Sequence, residues 1–137
     1  MFYQLEVNKT EKYCYINAMN KNHERIGKIC IDLNSEDSER YKHICTGNKI
    51  GKIILVSTSI SACGHGVATA MIKKAIEILN DYNLYLNVVP MPRSIENAKY
   101  CTVNGLKEFY KKFGFIHYKE DICITTMFRK AHSLLAQ

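Results

Sequence analysis

The chain lacks any apolar run approaching the roughly 20 residues that a membrane-spanning helix needs. Its opening stretch, MFYQLEVNKTEK, alternates like a strand and lacks the apolar block and cleavage site of a secretory leader. A soluble, cytoplasmic protein with no membrane partner is expected. There is no CxxC pair and no close Cys/His cluster; Cys14, Cys30, Cys45, Cys63, Cys101 and Cys123 are scattered. Neither a metal site nor a disulfide framework is expected from that spacing. Cys14, Cys30 and Cys123 fall inside apolar strand patterns, where cysteine behaves as a small hydrophobe. Arginine is scarce beside lysine, and no aromatic–basic repeat or recognition-helix pattern occurs. The net charge of +6 therefore does not point to nucleic acid, for which arginine is the preferred reader; it favours an anionic ligand instead. GxxxxGK[ST] and GxGxxG are both missing, which argues against nucleotide hydrolysis and dinucleotide binding. Proline is confined to Pro90 and Pro92, and no repeat, low-complexity tract or linker interrupts the chain.

What is present suffices for a core. With 137 residues, 47% of them hydrophobic, residues 1–137 are expected to form a single domain. Residues 2–8 and 13–19 alternate as strands around a turn, and residues 26–32 (IGKICID) make a third strand. Residues 35–45 are expected to form a short helix capped by Ser35, with acids in its first turn. Residues 50–58 (IGKIILVST) read as a strongly apolar strand covered on both faces. From Gly66 to Leu79 the period changes: Val67, Met71, Ala75, Ile78 and Leu79 share one side, widened by Ala68, Ile72 and Ile76, which predicts a helix with a broad buried face. Residues 82–89 read as another buried strand, stopped by Pro90. A second helix over 103–113 places Leu106, Phe109, Tyr110 and Phe113 at helical spacing, with Gly114 as its stop. Residues 115–118 and 122–129 close the chain as a hairpin. This order predicts an α/β fold in the α+β sense: a mixed, mostly antiparallel sheet with helices on both faces. A parallel pair of central strands is expected where a helix crosses between them.

The informative junction is the strand 50–58, the loop STSISACGHG and the helix beginning near Gly66. Glycines at 64 and 66 let the backbone turn sharply and leave it unobstructed. The loop's N–H groups can then converge on an anion at the positive end of the helix. An isolated Gly-x-Gly is weak evidence, but here it sits between an apolar strand and a long amphipathic helix.

At this junction the chain resembles the GNAT superfamily of N-acetyltransferases, including small phage and bacterial members. Their pyrophosphate loop reads Gln/Arg-x-x-Gly-x-Gly/Ala, and the matching positions here are Ser61, Ala62, Cys63, Gly64, His65 and Gly66. Both glycines match, and Ser61 stands where the family has Gln or Arg. A second resemblance lies in LKEFYKKFGF, Leu106 to Phe115, which looks like the family's late helix running into Gly-Phe before the closing hairpin. Together the matches cover roughly residues 50–129.

The resemblance implies an acyl-CoA-dependent acetyltransferase that moves an acetyl group from acetyl-CoA directly to an amine acceptor. Ser61 to Ala68, including Val67, would grip the pyrophosphate. The cleft between strands 50–58 and 83–89 would hold the pantetheine, and a backbone N–H near Val56, Ser57 or Thr58 would polarise the thioester carbonyl. Tyr110 takes the place of the tyrosine that gives a proton to the departing thiolate in many relatives. Two departures accompany the match. Residues between Val88 and Tyr110 carry an insertion, MPRSIENAKYCTVNG, which leaves Asn97 and Asn104 as alternatives for the family's asparagine. No carboxylate lies in strand 50–58 or the loop to Ser61, where many relatives place a glutamate as general base. The competing reading is a GNAT-fold protein that is catalytically weak or inactive and acts by protein binding, as a phage-type modifier or inhibitor of a host protein.

Each candidate also has a plain structural reading. Tyr110 lies on an apolar helix face and reads equally as a core tyrosine with a satisfied hydroxyl. His65 reads equally as an idle loop histidine. Cys63 has no partnered base and direct transfer needs no acyl-enzyme, so it is not expected to be a nucleophile. His117 is expected to face solvent, and Glu96 and Glu108 to be solvated surface acids.

Overall fold

Among the described residues, seven strands assemble into one mixed sheet. The computed structural model describes residues 2–88, 102–118 and 125–133. Strands β1 (Tyr3–Lys9), β2 (Tyr13–Asn20), β3 (Arg25–Asp32) and β4 (Ile50–Thr58) form an antiparallel meander. Helix α1 (Val67–Ile78) then crosses to β5 (Asn83–Val88), which pairs with β4 in parallel. Helix α2 (Val103–Lys111) leads to the short strand β6 (Ile116–Tyr118), and β7 (Thr125–Arg129) inserts antiparallel between β5 and β6. The expected mixed sheet with one parallel central pair is what forms.

Period-two alternation decides which residues meet which layer. Along β5, Leu84, Leu86 and Val88 enter one core cluster, whereas Tyr85 between them enters a second, with Tyr41, Ile50 and Phe128. The first cluster also holds the apolar faces of both α-helices. Helix α1 packs against β2, β3 and β4 and buries Val67, Met71, Ile72, Ala75 and Ile76; α2 packs against β5, β6 and β7 and buries Tyr110. Each larger side chain so buried contributes about 1.5–3 kcal/mol. Both helices thus lie on one face of the sheet, one to each side of the β4–β5 junction. On the opposite face sits a 3-10 helix, Glu36–Ile44, whose Tyr41 ring lies 4.6 Å from that of Tyr85.

Two expectations need correction. Residues 35–45 were expected to form a helix capped by Ser35. The helix is of 3-10 type, and the Ser35 hydroxyl donates to the Asp37 carboxylate instead of accepting from the backbone. Serine and aspartate offer such local bonds in competition with regular helix. Strand 50–58 was expected to be covered on both faces, yet Ile54 is 51% and Leu55 43% exposed. The pairing of β3 with β4 steps from Cys30↔Leu55 to Ile31↔Ile53, so Ile54 is an extra, bulged residue. Such a bulge bends the strand and re-aims its side chains. The expected stop at Pro90, together with Glu96, Asn97, Cys101 and Cys123, lies outside the described residues.

Candidate functional site

The β4–β5 ladder is short. It runs over three pairs, Ile50↔Asn83, Gly51↔Leu84 and Lys52↔Tyr85, and then ends. Beyond that point, among the described residues, β4 continues to Thr58 paired with β3 alone, and β5 continues to Val88 paired with β7 alone. The two central strands therefore part like a fork. Backbone groups of β4 between Ile53 and Thr58 that point away from β3 face this opening, and among the described residues no strand pairs with them. Val56, Ser57 and Thr58 lie along this unpaired stretch and are half-buried.

From the open end of the fork the chain runs straight into the glycine turn. The Ser59 N–H donates to the Ile26 carbonyl at 2.8 Å, which ties the loop to β3. A short 3-10 turn, Ile60–Ala62, follows, and Ala62 is buried in the main core. Gly64 and Gly66 have φ of +80° and +75°, the left-handed region that favours glycine. A Cβ at either would meet nothing within 4 Å, so the backbone angle, not crowding, requires glycine here. The contrast with Gly51 is instructive: its added Cβ would lie 3.0 Å from Leu84 Cδ2.

The turn leaves a patch of unused donors. Among the described residues, the N–H groups of Gly64, Gly66, Val67, Ala68 and Thr69 donate to no carbonyl or side chain; the first helical bond of this turn runs from Ala70 N–H to the Gly66 carbonyl at 3.0 Å. Gly66 at the N-cap supplies no capping side chain, and the first turn of α1 holds no acid. Unused N–H donors and a helix dipole of this kind favour an anion over a cation. The side chains around it are modest. Ser61 is exposed, with its hydroxyl 3.1 Å from that of Ser59; Cys63 Sγ is 3.5 Å from Thr58 Oγ1; His65 is exposed.

Tyr110 lies on α2, across the fork from α1. Its ring stacks edge-on against Phe109 and Phe115, at 5.2 and 5.8 Å. Burial pushes its hydroxyl up to about 12, so the phenol stays protonated throughout neutral pH. Tyr110 is buried, and among the described residues its hydroxyl makes no hydrogen bond to the protein.

Other candidates lie elsewhere. Asn104 is exposed on α2, and Glu108 is exposed and paired at 3.0 Å with Lys111. His117, expected to face solvent, is half-buried; with His43, Tyr118 and Lys130 it lines a hollow between the 3-10 helix and β6–β7. Among the described residues no group of histidine, cysteine and acidic side chains is arranged to hold a metal ion, and no helix is long and apolar enough to cross a membrane.

The sequence reading missed the carboxylate that the fold brings to the fork. Asp37 accepts from Lys52 Nζ at 2.9 Å, from the Tyr85 hydroxyl at 3.1 Å, and from Ser35. Burial works against its ionisation, but the hydrogen bonds from Ser35, Lys52 and Tyr85 outweigh it and hold the carboxyl at about 2. So saturated and so acidic a group is a poor general base. Also missed was Asn83, fully buried at the closed end of the ladder. Its amide donates to the carbonyls of Thr46 and Lys49, both at 2.9 Å, and accepts from the N–H groups of Thr46 at 3.0 Å and Ala131 at 3.1 Å.

No protein-family model matches the chain, and no curated protein matches it in sequence. Solved structures do match. An acetyltransferase of the GNAT family from Staphylococcus aureus is 12% identical over 85% of this chain and 66% of its own length, with a TM-score of 0.55. Arabidopsis thaliana NAA60, solved with a bisubstrate analogue, is 14% identical over 89% of this chain and 78% of its own, with a TM-score of 0.61. The Bacillus subtilis N-acetyltransferase YlbP, solved with coenzyme A, is 12% identical over 90% of this chain and 70% of its own, with a TM-score of 0.58. The chain has the fold of the GNAT acetyltransferases.

Proposed function

We propose that this protein is an acyl-CoA-dependent N-acyltransferase that moves an acetyl group from acetyl-CoA to an amine. The observation that carries the reading is the junction of two features. The fork offers unpaired strand edges to an extended amide-bearing chain, and its open end leads directly into a turn of free N–H groups at a helix N-terminus. An extended molecule with amides along its length and phosphates at one end would satisfy both. The GNAT-fold neighbours that bind coenzyme A or a bisubstrate analogue support the same assignment.

In this reading Ser61 to Ala68 hold the pyrophosphate, chiefly through the N–H groups of Gly64, Gly66, Val67 and Ala68. A backbone N–H in the stretch Val56 to Thr58 hydrogen-bonds the thioester oxygen as charge builds on it. The neutral amine nitrogen bonds to the carbonyl carbon and the carbon–sulfur bond breaks. Tyr110 gives its proton to the sulfur, and the phenol is restored by the proton that the amine loses through solvent. Because burial makes this phenol a weak acid, donation helps only as charge develops on the leaving sulfur, not ahead of it. The amine's proton passes through solvent, since Asp37 is too acidic to take it.

A second reading draws on Ser61 and Asp37. With a serine tied to Ser59 where a cation would meet phosphate, and no competent base at the fork among the described residues, a weakly active GNAT-fold protein that acts by binding another protein also fits. Calorimetric titration with acetyl-CoA separates the two. Saturable binding, followed by acetyl groups mapped by mass spectrometry on an amine panel or lysate, supports the enzyme; absence of binding removes it.

A further inference from the structure

We propose that Asp37 is a positioning residue that clamps β4 to β5 at their last paired residues and so fixes where the fork begins. The clamp follows from the geometry alone; its consequence for ligand rests on the acyl-CoA reading above. Three parallel pairs make a weak ladder, since parallel pairing is slightly less stable per residue than antiparallel. Something must hold its open end, where each strand diverges toward a different partner. Asp37 is placed to do so because its two carboxylate oxygens reach different strands: Oδ2 accepts from Lys52 of β4 at 2.9 Å, and Oδ1 from the Tyr85 hydroxyl of β5 at 3.1 Å. Lys52↔Tyr85 is the last pair of the ladder.

The surroundings make this carboxylate an effective tie. Tyr85 is fully buried, and its ring packs on Tyr41, which belongs to the same 3-10 helix as Asp37. The ammonium of Lys52 also lies 6.0 Å from the Tyr85 ring centroid, within cation–π range. Helix, β4 and β5 are thus joined at one point. The closed end of the ladder offers an internal control. There Lys49 and Asp81, just before β4 and β5, form a similar pair at 2.6 Å, but their side chains are 57% and 47% exposed, against 22% and 40% for Lys52 and Asp37. An exposed pair of that kind contributes little.

The test is amide hydrogen exchange on the full chain, comparing the parent with Asp37→Asn, Tyr85→Phe and Asp81→Asn. Tyr85→Phe removes one hydroxyl and keeps the ring packing, so it serves even if Asp37→Asn folds poorly. Both fork variants are expected to speed exchange of the β4–β5 ladder amides by roughly tenfold or more through local opening, with the β1–β2–β3 ladders unchanged. Asp81→Asn is expected to change the same amides by less than about twofold. Acetyl-CoA affinity is expected to fall by about fivefold in the fork variants. Faster exchange confined to Glu36–Ile44, with the ladder unchanged, would show that Asp37 only tethers its own helix and would overturn the proposal. A parent protein that binds no acetyl-CoA removes the proposed function, while the exchange pattern decides the clamp by itself.

Discussion

At the closed end of the β4–β5 ladder, one buried amide, Asn83, meets the N–H and carbonyl of Thr46, the carbonyl of Lys49 and the N–H of Ala131. At the open end, the turn through Gly64 and Gly66 leaves N–H groups with no acceptor among the described residues. The two ends of one central ladder thus treat their polar groups in opposite ways over the length of one strand. Buried backbone groups are nearly always paired, and at the closed end Asn83 supplies partners to Thr46, Lys49 and Ala131. The open end departs from it at the protein surface, where an anionic ligand can complete the set. A satisfied end gives rigidity, and the unsatisfied end gains its use from being held by it.

The largest expected effect lies at the closed end. Asn83→Ala removes a partner from the backbone of residues 46, 49 and 131 at once, leaving the buried Ala131 N–H and the part-buried groups of Thr46 without it. A loss of about 3 kcal/mol is expected, with the melting temperature lower by roughly 10 °C. Asn83→Asp, which keeps shape but turns a donor into a charged acceptor facing two carbonyls, should be no better. A melting temperature within about 2 °C of the parent for Asn83→Ala would break the comparison, because the closed end would then not depend on this amide.

Tyr110→Phe comes next and probes the open end. The hydroxyl makes no hydrogen bond to the protein among the described residues, so its removal should leave the melting temperature and acetyl-CoA affinity near those of the parent. The chemical step should slow by roughly 10²-fold, the scale of a lost positioned acid. Single-turnover rate and thermal stability, measured together, decide it: a lower melting point with an intact rate would make Tyr110 a structural residue.

Much of the fold was legible because its signals are local. The strand at 50–58 was placed at Ile50–Thr58, the helices at 66–79 and 103–113 formed at Val67–Ile78 and Val103–Lys111, and the parallel pair followed from the crossover. The glycine turn was legible for the same reason, since a strand, two glycines and an amphipathic helix are adjacent in the chain. What escaped were contacts over long sequence distance. Asp37 meets Tyr85 across 48 residues, and Asn83 meets Thr46 across 37 and Ala131 across 48. Nothing in the local pattern marks an aspartate in SEDSE, or an asparagine at a strand start, as the partner of a distant strand. Arg129 is a similar case. It looked like the end of a closing strand, but it is buried and its Nε donates to the Phe113 carbonyl at 2.8 Å, fastening the end of α2 to β7. The bulge at Ile54 escaped for another reason: an unbroken apolar run reads the same whether both faces are covered or one residue is squeezed out of register.

Gly64→Val tests whether the turn itself makes the open end. A Cβ at this position meets nothing within 4 Å, so the substitution acts through the backbone angle of +80° rather than through a clash in the free protein. A left-handed β-branched residue costs about 1–2 kcal/mol, and relief of that strain would turn the N–H groups away from one another. Acetyl-CoA affinity should fall about tenfold in a protein that still folds. Gly51→Ala sharpens the contrast: its Cβ would press on Leu84 and Ile31, so it should lower stability with little direct effect on affinity per folded molecule. Equal acetyl-CoA affinity in parent and Gly64→Val would remove the turn from the site.

Ser61→Arg is expected to have the smallest effect and the opposite sign. Ser61 is exposed at the mouth of the turn, and its side chain does no more than share a hydrogen bond with Ser59, 3.1 Å away in water. Losing that bond should cost little, because both hydroxyls can turn to solvent. An arginine at this position carries a planar, permanently charged fork on a stem long enough to reach an anion held by the N–H groups of Gly64, Gly66 and Val67. One charge-assisted contact to phosphate would tighten acetyl-CoA by about 1 kcal/mol, some fivefold in affinity, and a bidentate one by somewhat more. Salt gives a second readout. The gain should shrink as ionic strength rises, because the contact is exposed and screened beyond about 10 Å at 0.1 M. Ser61→Gln, which can donate but carries no charge, should give a smaller gain that salt leaves alone. If Ser61→Arg binds acetyl-CoA no better than the parent at low salt while remaining folded, the phosphate does not sit within reach of position 61. The free N–H groups of the turn would then serve some other anion, and the open end of the ladder would need a different occupant.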